Sequence, residues 1–161
     1  MALLRARIPI SGGPVAISRF VAGKSLISRF IQWFTWGDYG HVEHVLRDGS
    51  VISAEFWSGV THYPVGHPVP KGSQDFTVEL TDDQCDRLES FLRAQVGKGY
   101  DWSALLGFVA RSDWQARSRW FCSELEAAAY QAAGKPLLRT DVSYRVSPSM
   151  LSLSPYLTPS G

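Results

Sequence analysis

The sequence predicts an α+β domain in which an antiparallel β-sheet packs against helices. Most strand-like runs precede most helical runs, and the two kinds do not alternate as they do in parallel α/β proteins. The chain has 161 residues, of which 45% are hydrophobic, so it can bury one core of ordinary size. No linker divides it. We therefore expect a single domain over residues 1–161, with a Ser- and Pro-rich tail after about residue 147 that is loosely held.

The predicted strands are short and are bounded by turn-forming residues. They cover 15–21, 41–46, 50–56, 60–65 and 76–80. A helical stretch over 23–36 lies between the first two, because its hydrophobic residues recur near the i, i+3, i+4, i+7 spacing of a core-facing stripe. The connection over 66–72 contains two prolines and is expected to be extended.

Three helices are predicted in the second half of the chain. The segment Thr81-Asp82-Asp83-Gln84 has the pattern of a capping box, and the helix that it opens runs to about residue 96. One face of this helix carries Cys85, Leu88, Phe91, Leu92 and Val96. A shorter helix is predicted over 102–110. The last begins near Cys122 and is stopped by Gly134 and Pro136.

Composition excludes several classes of function. The net charge is +1 with both signs interspersed, which argues against a nucleic-acid binder. No apolar run approaches the ~18–20 residues that a membrane span needs. The first residues lack the apolar stretch of a signal peptide, so we expect a protein that is cytoplasmic as synthesised, unless another route exports it. Two cysteines without a Cys-x-x-Cys pair argue against a disulfide framework or a zinc site.

Cys122 is the candidate nucleophile. It follows the aromatic pair Trp120-Phe121 and stands at the start of a predicted helix, where unpaired amides and the helix dipole favour a thiolate. The same amides can donate to an oxyanion. Judged from its position alone, Cys122 could equally be an ordinary buried cysteine without a catalytic role. Cys85 instead lies within a helix after Asp82 and Asp83, whose charges oppose ionisation, and it is interpreted as a core residue.

The four histidines differ as candidates for the general base that a nucleophilic cysteine needs. His67 lies in the proline-containing connection and is expected to face solvent. His62 is on a short strand and fits either role. His41 and His44 share one strand, but their odd separation makes them face opposite sides, so only one of them can point at a given partner.

The loop after the strand of His41 decides which residue stands beside it. A two-residue turn and a three-residue loop differ by one residue in pairing. With the loop Arg47-Asp48-Gly49, whose glycine adopts the left-handed conformation, Glu55 lies opposite His41 and Ser53 lies opposite Glu43. This register also separates an apolar face from a polar one, so we predict it. Glu55 would then hold the tautomer of His41 and stabilise its cation.

Five segments, in the same order along the chain, resemble the permuted NlpC/P60 papain-like hydrolases, the group that includes YiiX/YebB-like proteins. They are Tyr39-Gly40-His41-Val42-Glu43, the hairpin from Asp48 to Val60, Leu80-Thr81-Asp82-Asp83-Gln84, Gly97-Lys98-Gly99-Tyr100-Asp101 and Phe121-Cys122-Ser123-Glu124-Leu125. The histidine strand precedes the cysteine helix, as it does in the permuted branch. The chain departs from the pattern at His44, where an aliphatic residue is commoner.

The resemblance implies a circularly permuted papain-like fold and a cysteine hydrolase of the peptidase or amidase type. It implies a triad of Cys122, His41 and Glu55, with Ser53 as the alternative third residue. Turnover through an acyl-enzyme would follow, without a metal or an organic cofactor.

The resemblance also implies substrate contacts and a substrate class. Tyr100 would lie close to the cysteine and Ser123 directly after it, so both are candidates to position the substrate or the oxyanion. The implied substrate is first of all an amide in a peptidoglycan stem peptide. Lipid-like esters or amides stay open, because the permuted branch also resembles acyltransferases of the lecithin–retinol type. Aromatic residues such as Trp33, Trp36 and Trp57 could line an apolar cleft, but we expect core packing for most of them.

Two further classes of function are open on the residues. A non-catalytic binding or assembly module, for instance a component of a larger particle, would keep the fold without turnover. A metal site built from His41, His44 and Cys122 is disfavoured, because the two histidines point to opposite faces of one strand.

Overall fold

The computed structural model describes residues 13–23, 26–100, 119–139 and 146–160. One six-stranded antiparallel sheet, in the order β4-β3-β2-β1-β5-β8, organises them. Its strands are β1 (Val15–Val21), β2 (His41–Val45), β3 (Val51–Glu55), β4 (Gly59–Tyr63), β5 (Ser73–Glu79) and β8 (Thr158–Pro159). A separate parallel pair joins β6 (Gly99–Tyr100) to β7 (Arg119–Trp120). The helices are α1 (Leu26–Thr35), α2 (Asp82–Gln95), α3 (Cys122–Ala132) and α4 (Pro148–Ser152). The predicted α+β class is confirmed.

One face of the sheet is apolar and forms the core together with α2 and α3. The helix α3 packs on β2 and β3 and also against α2. The buried side chains of this layer include Phe20, Val42, Ile52, Ala54, Val78, Leu88, Leu92 and Leu125. Burying each of these side chains apart from Ala54 contributes roughly 1.5–3 kcal/mol to the free energy of folding. This packing fixes the start of α3 against the central strands.

The hairpin between β2 and β3 has the predicted three-residue loop. The amide of Leu46 donates to the carbonyl of Ser50 across 2.8 Å, and Gly49 adopts a left-handed φ of 84°. Glu43 pairs with Ser53 in the resulting register. The register prediction is therefore confirmed, and it leaves the polar side chains of both strands, except that of His44, on the face away from the core.

The capping box at the start of α2 is also confirmed. The hydroxyl of Thr81 accepts from the amide of Gln84 at 3.2 Å, and the side chain of Gln84 accepts from the amide of Thr81 at 3.0 Å. The prediction that Val96 lies on the buried face is wrong, because the helix ends at Gln95 and Val96, as the C-cap, is 42% exposed. The helix predicted over 102–110 lies outside the described residues.

The Ser- and Pro-rich tail is more ordered than its composition predicts. Ser147 caps α4 by accepting from the amide of Met150 at 3.1 Å, and Pro148 occupies the first helical position. Further on, β8 pairs with β5. Serine at an N-cap and proline in the first turn are the preferred residues for starting a helix. Serine and proline, which are typical of a loop, therefore begin a helix in this tail.

The expectation of core packing fails for three tryptophans. Trp33, Trp36 and Trp57 are 72%, 94% and 86% exposed. Two of them lie on or directly after α1, which turns Leu26 and Phe30 outward as well. The helix therefore presents apolar side chains to solvent on one face, whereas Ile31 is buried. None of the described helices is long and apolar enough to cross a bilayer.

Candidate active site

Cys122 is the first residue of α3, as the sequence predicts. Phe121 is the N-cap, with extended backbone (φ −85°, ψ 147°) and without a hydrogen bond from its side chain to the cap. The first helical hydrogen bond runs from the amide of Leu125 to the carbonyl of Phe121 at 2.9 Å. The preceding amides of this turn have no intrahelical acceptor, as at every helix start. The Cys122 thiol, 2% exposed, thus lies at the positive end of α3.

His41 is the first residue of β2, and it lies close enough to Cys122 for the thiol to raise the pKa of its imidazole. The packing of α3 on β2 brings the two residues together. Gly40 is required next to them: a Cβ atom at this position would lie 2.7 Å from the carbonyl oxygen of Ser28. The small residue before the histidine in the sequence motif therefore reflects the close approach of α1 to the start of β2.

The imidazole also contacts both residues predicted for the third place. Nε2 of His41 lies 2.8 Å from Oγ of Ser53 and 3.5 Å from Oε1 of Glu55. Continuing the register from Glu43 and Ser53 by two residues puts Glu55 opposite His41. Ser53 is thus the nearer partner, and Glu55 supplies the negative charge. The structure brings together Cys122, His41, Ser53 and Glu55.

The electrostatics of this group favour a charged imidazole. Burial lowers the pKa of His41, but the neighbouring Cys122 and Glu55 raise it, and the net pKa is well above the ordinary value. The hydrogen bond from His41 lowers the pKa of Glu55, which burial opposes only in part. A cation between a thiol and a carboxylate is the arrangement that supports a thiolate.

Tyr100 lies beside the segment that leads to Cys122. Its strand β6 pairs with β7, where Tyr100 is the partner of Trp120. The buried ring packs 5.5 Å from the ring of Phe56 and 5.8 Å from that of Phe121, measured between centroids. The sequence motif predicts this neighbourhood, and the parallel strand pair is its structural cause.

The side chain of Ser123 does not take the predicted position. It is fully buried, and its hydroxyl donates to the carbonyl of Val146. The side chain therefore ties α3 to the segment before α4 rather than facing a substrate. Any contribution of Ser123 to an oxyanion is left to its backbone amide, at the first turn of the helix.

The remaining histidines lie elsewhere. His44 is buried on the core side of β2, where its Nδ1 lies 2.8 Å from Oε1 of Glu126. His62 is exposed and lies 2.9 Å from the hydroxyl of Ser50. Within the described parts of the chain, no three or more His, Cys, Asp or Glu side chains are grouped so as to hold a metal ion.

Two features of the site escape sequence reasoning. His67 was expected to face solvent, yet its ring stacks on Tyr63 at 4.1 Å, and its charge acts on Glu43 and Glu55. Glu126 carries no motif of its own. Its one signal in the sequence is the spacing of four residues from Cys122, which places it one helical turn later.

Cys85 behaves as the core residue that the sequence predicts. It is 2% exposed on α2, and burial raises the pKa of its thiol. Both cysteines are free thiols. Cys85 therefore serves as an internal reference for the reactivity of Cys122.

No family model and no curated protein matches the chain. Among solved structures, it is similar to the crystal structure of metalloprotein yiiX from Escherichia coli O157:H7, which is also described as DUF1105. The TM-score is 0.66 at 22% sequence identity, over 92% of this chain and 97% of that chain. The similarity shows a YiiX-like fold.

Proposed function

We propose that the protein is a cysteine hydrolase of the permuted NlpC/P60 papain-like type. Cys122 is the nucleophile, His41 is the general base, and Glu55 orients and stabilises the imidazolium. The observation that carries the proposal is the position of His41, which lies within electrostatic reach of the Cys122 thiol and contacts both Ser53 and Glu55.

The contacts of the two ring nitrogens of His41 define its role as the general base. Nε2 is engaged by Ser53 and Glu55, so Nδ1 is the nitrogen available to the thiol. Transfer of the thiol proton to Nδ1 gives a thiolate and an imidazolium. The carboxylate of Glu55 stabilises that cation, and its effect agrees in sign with the raised pKa of His41.

Turnover then follows the two-step course of an acyl-enzyme mechanism. The thiolate attacks the carbonyl carbon of the substrate, and amides at the start of α3 donate to the developing oxyanion. His41 returns its proton to the leaving amine as the C–N bond breaks, which leaves a thioester on Cys122. Water, deprotonated by His41, attacks this thioester, and the acid is released with the thiol restored. Tyr100 borders the site and contributes to positioning the substrate.

The resemblance to NlpC/P60 enzymes favours an amide substrate, with peptidoglycan stem peptides as the first class to test. A specific observation supports lipid-like esters or amides as a second class. The exposed ring of Trp57 packs 4.9 Å from that of Phe56, which contacts Tyr100. A row of packed aromatic rings thus joins the surface to the segment that precedes Cys122, and the exposed ring of Trp57 offers an apolar surface to an acyl chain.

A metal has no place in the proposed steps, although the similar crystal structure is described as that of a metalloprotein. The metal donors suggested by the sequence, His41, His44 and Cys122, do not point to one common place in the structure. His44 is turned to the core and bonded to Glu126, whereas His41 contacts Ser53 and Glu55. The described residues contain no other grouping of three metal donors. The donor set therefore does not fit a metal centre at Cys122.

The proposal is tested by the pH dependence of alkylation with iodoacetamide, read separately for each cysteine by peptide mass spectrometry. Cys122 of the wild type should react quickly below the ordinary thiol pKa of ~8.5, and His41→Ala should remove this advantage. Cys85 should stay slow in both proteins. Equal, ordinary profiles for Cys122 with and without His41 would contradict the proposal.

A further inference from the structure

Four polar side chains form a hydrogen-bonded cluster inside the apolar layer between the sheet and α3. They are Ser18 of β1, His44 of β2, and Glu126 and Tyr130 of α3, each at most 2% exposed. The proposed reaction uses none of them. Buried polar groups are costly unless they are hydrogen-bonded, so the cluster has to satisfy its own donors and acceptors.

The number of protons that each group can donate determines which of Ser18 and Tyr130 is the donor in their hydrogen bond. Oε1 of Glu126 lies 2.8 Å from Nδ1 of His44 and 2.5 Å from Oγ of Ser18. Oγ of Ser18 also lies 2.9 Å from the hydroxyl of Tyr130. Because Ser18 donates its one proton to Glu126, it accepts from Tyr130. Burial and the charge of Glu126 raise the pKa of Tyr130 well above its ordinary value, which keeps that donor protonated.

The cluster lies next to the candidate active site along both elements that form it. Glu126 follows Cys122 by four residues, a rise of about 6 Å along α3. His44 follows His41 by three residues, about 10 Å along β2. The contact of Cys122 with His41 and that of Glu126 with His44 therefore join the same helix to the same strand at neighbouring points.

The helix α3 also packs on the sheet through buried side chains such as Leu125, but the side chains that directly follow Glu126 are small. Three alanines follow Glu126 directly, and the buried Ala127 and Ala129 present only methyl groups. Small side chains form shallow ridges, which restrain sliding less than interdigitated large ones do. The hydrogen bonds of Glu126 to two different strands are directional, and so they specify one position of the helix.

We propose that Glu126, held by His44 and Ser18, is a positioning residue that fixes α3 against β2 and so keeps Cys122 beside His41. The inference rests on the proposed function, since it assigns a role in preparing the same thiol. It differs from a purely stabilising role, because it predicts an effect on Cys122 that other destabilising changes do not reproduce.

The test compares Glu126→Leu, Glu126→Gln and the wild type in the iodoacetamide assay. Glu126→Leu should slow alkylation of Cys122 by up to about tenfold at mildly acidic pH, where the fraction of thiolate limits the rate, and the rates should converge at high pH, where every thiol is ionised. Glu126→Gln keeps an oxygen acceptor for both donors and should restore most of the wild-type rate. Val78→Ala, a core change on β5, is the control, and it should leave the rate at Cys122 unchanged.

Amide hydrogen exchange at Leu125 provides a readout that does not depend on the chemistry of the thiol. This amide closes the first turn of α3 by donating to Phe121, and Glu126→Leu should raise its exchange rate by about tenfold, whereas Val78→Ala should not raise it selectively. If Glu126→Leu does not fold, Ser18→Ala, which removes one donor to the same oxygen, takes its place in both measurements.

The two proposals fail in different ways. Wild-type rates of Leu125 exchange and Cys122 alkylation in folded Glu126→Leu would overturn the positioning role. Alkylation of the wild-type Cys122 that does not depend on His41 would instead overturn the proposed function, and exchange at Leu125 would then decide by itself whether Glu126 fixes the helix.

Discussion

Nε2 of His41 lies 2.8 Å from Oγ of Ser53 and 3.5 Å from Oε1 of Glu55, so one ring nitrogen serves two partners on the neighbouring strand. The relationship follows from the three-residue loop, which places Glu55 opposite His41 and Ser53 two residues away on the same face. The hydroxyl supplies the shorter hydrogen bond, and the carboxylate supplies the charge. The two roles can be separated by substitution.

Glu55→Gln should lower the pKa of His41, because the amide keeps the shape of the side chain but loses its charge. Ser53→Ala should change that pKa less, since it removes a neutral partner. The alkylation rate of Cys122 near neutral pH should fall by about tenfold in Glu55→Gln if the pKa of His41 falls by one unit. Both effects can be measured by NMR titration and by the alkylation assay. A larger effect for Ser53→Ala would assign the orienting role to the serine.

The contribution of His41 to stability should depend on pH in a defined direction. Its folded-state pKa is raised, so the stabilisation is fully present below the unfolded-state pKa of about 6.5 and is lost as the pH rises through the folded-state value. The difference in unfolding free energy between the wild type and His41→Ala should therefore shrink from pH 6 towards alkaline pH. Urea denaturation at several pH values measures it. A difference that grows towards alkaline pH would show that the folded-state pKa is depressed.

Gly40→Ala should destabilise the protein and disturb His41. The added methyl group would lie 2.7 Å from the backbone oxygen of Ser28 and would also clash with its hydroxyl oxygen, so the start of β2 or α1 has to move. Overpacking of this kind costs about 1–3 kcal/mol of unfolding free energy. Gly13→Ala is the matched control, because a Cβ there has no neighbour within 4 Å. Equal denaturation midpoints for the two variants would contradict the close approach.

The tail should contribute to stability through its cap. Ser147 is fully buried and accepts from the amide of Met150 at 3.1 Å, so Ser147→Ala should cost about 1 kcal/mol. The matched control is Ser152→Ala, which removes a hydroxyl at the other end of the same helix, bonded to the carbonyl of Ser149. Thermal denaturation compares them. If Ser147→Ala is as stable as the wild type, the tail does not depend on this cap.

Local rules were sufficient where neighbouring residues decide the geometry. The glycine of the loop Arg47-Asp48-Gly49 and the alternation of β2 and β3 determine the register, so the pairing of Glu43 with Ser53 was predictable. The same holds for Thr81 and Gln84 at the start of α2, and for Cys122 at the start of α3. These residues make their decisive contacts within a few positions or across one hairpin.

Other features depend on how whole elements pack, which periodicity does not reveal. The pairing of His44 with Glu126 joins residues 82 positions apart and requires a particular rotation of α3 on the sheet. The hydroxyl of Ser123 donates to the carbonyl of Val146, which lies 23 residues later in the chain. The exposure of Trp33 reflects which face of α1 is buried, the face that carries Ile31, and its spacing alone fits either orientation.

The most direct test of the account is the titration of the His41 imidazole by NMR, in the wild type and in Cys122→Ala. Cys122 is the first of the neighbours that raise the pKa of His41, ahead of Glu55. The account predicts a pKa well above about 6.5 in the wild type, and a clear fall when the thiol is removed from a protein that remains folded. The same pKa in both proteins would show that the thiol and the imidazole do not form an ion pair, and it would contradict the assignment of Cys122 as the nucleophile activated by His41.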